Sequence, residues 1–243
     1  MNIVKCMFVF LSILPYKLQA EELKIVPLAQ LKAYLTYTKI HDPVRLKFTK
    51  FPLASSYSSA WGSPVIPETF LIRIPNGAVY SQNGHVIVNK KYLIKELLWP
   101  FSFLKKQKNP LDQKDLSNLR HVQGKVVVLA QEGHKNYYHW ITEILPKLAL
   151  LKGTQYDWVY LPRLTQPFQR ETLDRMGVDP RKIIEGDENT YIVADELIVP
   201  SFVSKSFYTP RWVIDFLQEK LAKPETTLPV FSKKVFISRQ KAN

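Results

Sequence analysis

The stretch Lys125-Val126-Val127-Val128-Leu129-Ala130-Gln131-Glu132-Gly133-His134-Lys135-Asn136-Tyr137-Tyr138-His139-Trp140-Ile141-Thr142-Glu143-Ile144-Leu145-Pro146 decides how this sequence is read. Lys125 to Ala130 is a continuous apolar run, the pattern of a strand buried on both faces of a parallel sheet. A helical pattern follows from Tyr137 to Lys152, and Gly153 is placed to end it. Gln131 to Asn136 join the two. In open α/β sheets ligands bind at the carboxyl ends of the strands, which is where this linker falls.

Downstream, strand and helix continue to alternate. A strand is expected at Asp157 to Leu161, then a helix from Pro167 to Met176 closed by Gly177. Short strands at Lys182 to Glu185 and Tyr191 to Val199 come next. Thr209 and Pro210 are placed as N-cap and first residue of another helix. Its Val213, Phe216, Leu217 and Leu221 recur at helical spacing. A last strand runs from Lys234 to Ser238. Such alternation builds an open parallel sheet covered by helices.

Upstream, residues 21–120 read as an α+β region. Phe70 to Ile74 alternates like a half-buried strand, and Asn76-Gly77 and Asn83-Gly84 separate short β-rich runs. Asn-Gly at such places signals hairpins, because both residues tolerate positive φ. Residues 102–123 are polar and lysine-rich and read as a linker. The fold class is therefore α/β, a Rossmann-like open parallel sheet over residues 121–243 preceded by a small α+β meander.

The chemistry concentrates at the helix entrance. At about 100° per residue, Ile141, Ile144, Leu145, Leu148 and Leu151 share one face. His139 and Glu143 lie on the opposite face, four residues apart and therefore adjacent, with Asn136 near the same side. The apolar stripe packs on the sheet, so the polar pair is expected to look away from it. A carboxylate beside an imidazole fixes its tautomer and raises its basicity, as general-base chemistry requires. Lys135 and the helix N-terminus favour an anion nearby. The plainer alternative is a surface pair worth a few tenths of a kcal/mol. Trp140 serves either packing or substrate stacking, and Pro146 either kinks this helix or starts another.

Composition narrows the classes. The 243 residues carry a formal net charge of +13, with a local run at Lys105, Lys106, Lys108, Lys114, Arg120 and Lys125. A basic surface suits nucleotide diphosphates or an anionic membrane surface, or is a solvated face. Nucleic acid is disfavoured because no recognised binding motif accompanies the charge. Cys6 is the only cysteine, which excludes a disulfide framework and a cysteine-rich zinc site. No dinucleotide, Walker, zinc-protease or nucleophile-elbow motif occurs. No metal site and no cofactor are expected. Residues 1–20 resemble a short secretory signal, with Lys5 before an apolar run and Leu18-Gln19-Ala20 at its end. Export or membrane association follows from that reading. An uncleaved apolar element in a cytoplasmic protein is the alternative.

The run Gly133, Asn136, Tyr137, His139, Trp140, Glu143, Leu145, Pro146 and Leu148 resembles the N-x-x-H-W-x-x-E-x-L-P-x-L signature of glycosyltransferase family 61. Further similarities come in the same order. They are Leu161-Pro162, Leu173 with Met176-Gly177, Asp195 to Pro200, Pro210-Arg211, and Val235 to Arg239. The resemblance spans roughly residues 60–243. It covers a family that includes capsular polysaccharide, xylan-decorating and O-linked GlcNAc transferases.

The resemblance implies two Rossmann-type domains facing across a cleft, the GT-B arrangement. It implies transfer of a sugar from a nucleotide sugar, a UDP-sugar by expectation, to a glycan or protein hydroxyl with inversion and without a metal. It also implies that Asn136, His139, Trp140 and Glu143 line the cleft, with His139 as base and Glu143 orienting it. Ser238 and Arg239 fall at the crossing into the donor domain, Arg239 as a phosphate contact. The sequence ends at Asn243, soon after that strand. The expectation is therefore an acceptor-side half, truncated before the donor domain, which a second polypeptide would supply. A carbohydrate-binding remnant without catalysis and a polyanion-binding surface protein are the alternatives.

Overall fold

The computed structural model of the chain describes residues 23–45, 65–99, 119–204 and 208–222. The N-terminal signal-like segment, Lys105, Lys106, Lys108 and Lys114, the strand expected at Lys234 to Ser238, and Arg239 lie outside the described residues. The chain is α/β with a mixed sheet whose centre is parallel.

The strands are β1 (Lys24–Val26), β2 (Thr36–His41), β3 (Val44–Arg45), β4 (Val65–Ile66), β5 (Thr69–Pro75), β6 (Ala78–Tyr80), β7 (His85–Val88) and β8 (Tyr92–Ile94). They continue with β9 (Leu119–Val128), β10 (Trp158–Pro162), β11 (Ile183–Gly186) and β12 (Tyr191–Pro200). The apolar run at Lys125 to Ala130 forms the second half of β9. It pairs in parallel with β12 on one side and β10 on the other, and β11 follows β10 in parallel. The helical elements are a single turn α1 (Tyr137–His139), α2 (Pro167–Arg175) and α3 (Arg211–Leu221). α3 begins one residue later than the sequence suggests, with Pro210 at its cap position and no side-chain cap. Pro210 has no N–H to donate, so nothing is lost by leaving it outside the helix.

The upstream strands belong to the same sheet, except β3 and β4, which pair with each other in a separate two-stranded sheet. β6, β7 and β8 make the expected antiparallel meander, and β1 adds to β8 in parallel. Asn83-Gly84 does sit in a hairpin, where Ser81 and Gly84 have φ of 60° and 69° between Tyr80 and His85. Asn76-Gly77 does not. β5 and β6 run in one direction along β12 in a single register, Pro75 opposite Glu196 and Ala78 opposite Val193. A type I′ hairpin needs positive φ at both central residues. Only Asn76 has it, at 50°. Its N–H bonds to Asp195 O and Gly77 O accepts from Ala194 N, so the ladder continues across the kink.

That kink is part of a fold line. On the next strand but one, Gln123 and Gly124 together oppose Asp195, and Gly124 has φ of 95°. The Asp195 side chain accepts from Gly124 N at 2.7 Å. A bulge of this kind bends a strand and tightens its twist. A side chain at Gly124 would come within 2.5 Å of the Asp157 carboxylate, which itself accepts from Lys125 N. Glycine is therefore required here for conformation and for space.

The bend brings the meander over one face of the parallel strands. Ile72, Ile74, Val79, Val86 and Val88 form one buried cluster with Val126, Val128, Tyr160, Leu197 and Val199. The Tyr160 hydroxyl, buried, donates to Ser81 O at 2.9 Å across the two layers. The opposite face, with Val127, Leu129, Val159, Leu161 and Ile198, packs against Trp140, Ile144, Leu145 and Leu173 of the helical layer. The expected open parallel sheet covered by helices is found in part among the described residues, as a mixed sheet with a parallel centre. Helical elements cover one face of the parallel centre, and strands cover the other. The reason is the bulge line: a sheet that doubles back supplies its own apolar cover.

Candidate active site

β9 delivers its last apolar residues to the carboxyl edge, where Leu129 N and Ala130 N both bond to Tyr160 O. Gln131 to Asn136 then turn the chain into the helical layer. Gly133 takes φ of 81° and lies under the His139 ring, so that a Cβ here would sit 3.0 Å from His139 Cδ2. Asn136 caps the first turn, its Oδ1 accepting from Tyr138 N at 2.9 Å and from His139 N at 3.5 Å. From the other side, Gln169 of α2 donates to His134 O and pins the loop.

The segment 137–151 is not the uniform helix that its periodicity suggests. After α1, Trp140–Ile144 forms a π turn in which Leu145 N bonds to Trp140 O, and Leu145–Leu151 continues as a 3-10 helix. Pro146 is the physical cause. It has no N–H for the Thr142 carbonyl, and its ring pushes that carbonyl away, so the turn before it widens. Thr142 Oγ1 bonding to Tyr138 O adds to the distortion.

His139 and Glu143 still meet, with Nδ1 3.0 Å from Oε1. Their surroundings differ from the sequence expectation. The His139 side chain keeps 23% of its surface, whereas that of Glu143 keeps only 5%. The pair therefore does not simply face solvent, since the carboxylate is inside the protein. Gln131 Nε2 donates to Glu143 Oε2 at 3.0 Å, so each carboxylate oxygen has a partner. An ionised carboxylate can only accept, which places the proton on His139 Nδ1 and leaves Nε2 as the basic nitrogen. Burial pushes the Glu143 carboxyl up, while His139, Lys147 and Gln131 act in the opposite direction. Trp99 meets the His139 ring edge-on at 5.1 Å.

Lys147, a further four residues on, is 3% exposed. Burial lowers it from 10.5 to about 7, against the attraction of Glu143. Its Nζ lies 5.2 Å from the centre of the Phe202 ring. Lys147, Gln131, Trp99 and Phe202 line a narrow cleft whose water-accessible volume is about 20 Å³. The tip of the β6–β7 hairpin, with Asn83 and Gly84, forms another wall.

The other expected site residues divide as follows. Asn136 is at the helix entrance, as a cap. Lys135 is exposed beside it. Trp140 is corrected to a core residue, because it has no exposed surface and its Nε1 donates to Thr172 Oγ1 at 2.8 Å. Packing, not stacking on a substrate, is what this position does here. Ser238 and Arg239 lie outside the described residues. Gln131, Lys147, Trp99 and Phe202 were not anticipated. For Lys147 a signal existed, as the third member of a polar row at 139, 143 and 147. Trp99 and Phe202 reach the site only through tertiary folding. Among the described residues no group of three or more metal-ligating side chains gathers.

With the geometry in place, comparison with known proteins adds one result. Residues 137–243 match the family model for glycosyltransferase 61. The match supports the family resemblance and begins at the turn that carries His139 and Glu143. Gly133, Asn136 and the residues of the hairpin wall precede it. No curated protein and no solved structure matches the chain.

Proposed function

We propose that this chain is the acceptor-side half of an inverting, metal-independent glycosyltransferase of the GT-B arrangement. The observation that carries the reading is the hydrogen-bonded series Gln131–Glu143–His139 at the carboxyl edge of a parallel sheet, its last two members within the segment similar to glycosyltransferase 61. In this reading His139 Nε2 takes the proton of an acceptor hydroxyl on a glycan or protein. The hydroxyl oxygen then bonds to the anomeric carbon of a nucleotide sugar, a UDP-sugar in the first instance. The bond from that carbon to the phosphate oxygen breaks with its electron pair, and the nucleoside diphosphate leaves. Attack from the face opposite the leaving group inverts the anomeric configuration. Glu143 stabilises the imidazolium that forms, and Gln131 keeps the carboxylate in place. Ser238 and Arg239 would meet the donor phosphates.

The full-length protein, incubated with a panel of UDP-sugars and glycan acceptors, tests this. The account expects acceptor-dependent release of UDP and a product whose anomeric proton coupling shows inversion. Retention of configuration would contradict the base role of His139. Glycan binding with no transfer under any donor would favour the non-catalytic reading. Tight, salt-sensitive binding to anionic vesicles without glycan binding would favour the polyanion-surface one.

A further inference from the structure

Two buried polar residues, Gln131 and Lys147, line the cleft beside His139, and the first has an atom without the partner that burial demands. Lys147 is 3% exposed, with its Nζ 5.2 Å from the centre of the Phe202 ring. Gln131 is 2% exposed and its Oε1 has no partner. The amide cannot turn to hide this. Its Nε2 is held by Glu143 Oε2, and a flip would set oxygen against carboxylate. Native proteins seldom leave such groups unpaired, because each costs its full desolvation.

We propose that this cleft is a subsite for the hydroxylated edge of an uncharged sugar ring, with one hydroxyl bridging Lys147 Nζ and Gln131 Oε1. The proposal deepens the acceptor-side reading and rests on it. A hydroxyl can accept from Nζ and donate to Oε1 at once, and few other groups satisfy both. An ionised carboxylate offers acceptors alone, and any anion, phosphate included, would bring its negative charge against Oε1 and Glu132, which also lines the cleft. The depressed proton affinity of Lys147 suits a neutral ligand, since the amine is not fully charged near neutrality. Trp99 supplies an apolar wall of the kind sugar faces pack on, and the same ring touches His139. The cleft is narrow, so it takes only the edge of a ring and leaves the rest of the sugar at its mouth. A water can hold the bridging position until a sugar displaces it.

Saturation-transfer NMR on the full chain, without donor, tests the proposal with methyl glycosides of glucose, galactose, mannose and xylose, methyl glucuronide and inorganic phosphate. The expected result is saturation of at least one neutral glycoside, with neither anion competing. A monodeoxy analogue of that glycoside should bind roughly 10-fold more weakly, the size of a hydrogen bond to a charged or buried polar group. In Lys147→Met the difference between glycoside and deoxy analogue should vanish. Asn83→Tyr, which narrows the mouth from the hairpin tip without altering the buried groups, should lose binding and keep its fold. Equal glycoside affinity in wild type and both variants would overturn the proposal. So would phosphate or glucuronide binding more tightly than every neutral glycoside, or the absence of any neutral binding. Transfer is not read in this experiment. Loss of the subsite with transfer intact sinks this proposal alone, and glycoside binding without transfer sinks the catalytic reading alone.

Discussion

Lys147 and Glu143 put two ionisable groups inside the protein within one turn, and their titration is open to measurement. Lys147 is lowered from 10.5 to about 7. The unfolded chain therefore binds more protons than the folded one between those values, and stability rises with pH across that window. The contribution is complete above the unfolded value and is lost as pH falls through the folded value. Lys147→Met has no such group. It should be more stable than wild type below about pH 7, by an amount of the order of a few kcal/mol, and lose that advantage as the pH approaches 10.5. Urea unfolding of both proteins at about pH 6 and about pH 10 measures the difference. A gap that does not change with pH would show that Lys147 is solvated. The His139–Glu143 contact was legible from spacing alone, since four residues on a helical turn bring side chains together. The burial of Glu143 was not, because the neighbours of this polar row, Trp99 against His139 and Phe202 beside Lys147, come from distant parts of the chain.

At the scale of elements, the loop and turn that carry His139 depend on a cap and a glycine. Asn136→Ala removes the acceptor for Tyr138 N and should cost about 1 kcal/mol of stability while leaving the fold intact. Gly133→Ala is the sharper change, because it adds strain at positive φ and pushes on the His139 ring. It should lower turnover more than Asn136→Ala does, with KM for the donor little changed; equal turnover in the two variants would detach Gly133 from the site. The positions of β10, α2 and β12 were readable to within one or two residues, because apolar runs and turn glycines mark them. The π turn was not readable as such. Pro146 announces a disturbance of the helix, but the surrounding packing selects which form it takes.

At the scale of the molecule, the sheet closes over itself along the line Gly77–Asp195–Gly124, and Tyr160 ties the two layers together. Tyr160→Phe keeps the ring in the core and removes one of the two donors to Ser81 O, leaving Gly84 N as the other. The loss expected is roughly 0.5–1.5 kcal/mol, the net worth of one hydrogen bond. Because the β6–β7 hairpin is also a wall of the cleft, the variant should weaken glycoside binding as well as stability. Thermal unfolding and glycoside titration together would show whether the two losses are linked. The sequence reading divided the chain at residue 121 and saw Asn76-Gly77 as a hairpin. It could not see that β5 and β6 share one side of β12, since the partner lies more than a hundred residues away and local pattern carries no record of it.

The central claim is that His139 removes a proton from the acceptor with Glu143 behind it. The most direct measurement is the transfer rate of full-length wild type, His139→Ala and Glu143→Gln on one UDP-sugar and acceptor, with unfolding midpoints taken alongside. The account predicts a loss on the order of 100-fold or more for His139→Ala at unchanged midpoint, and a smaller loss for Glu143→Gln. Transfer by His139→Ala near the wild-type rate would contradict it.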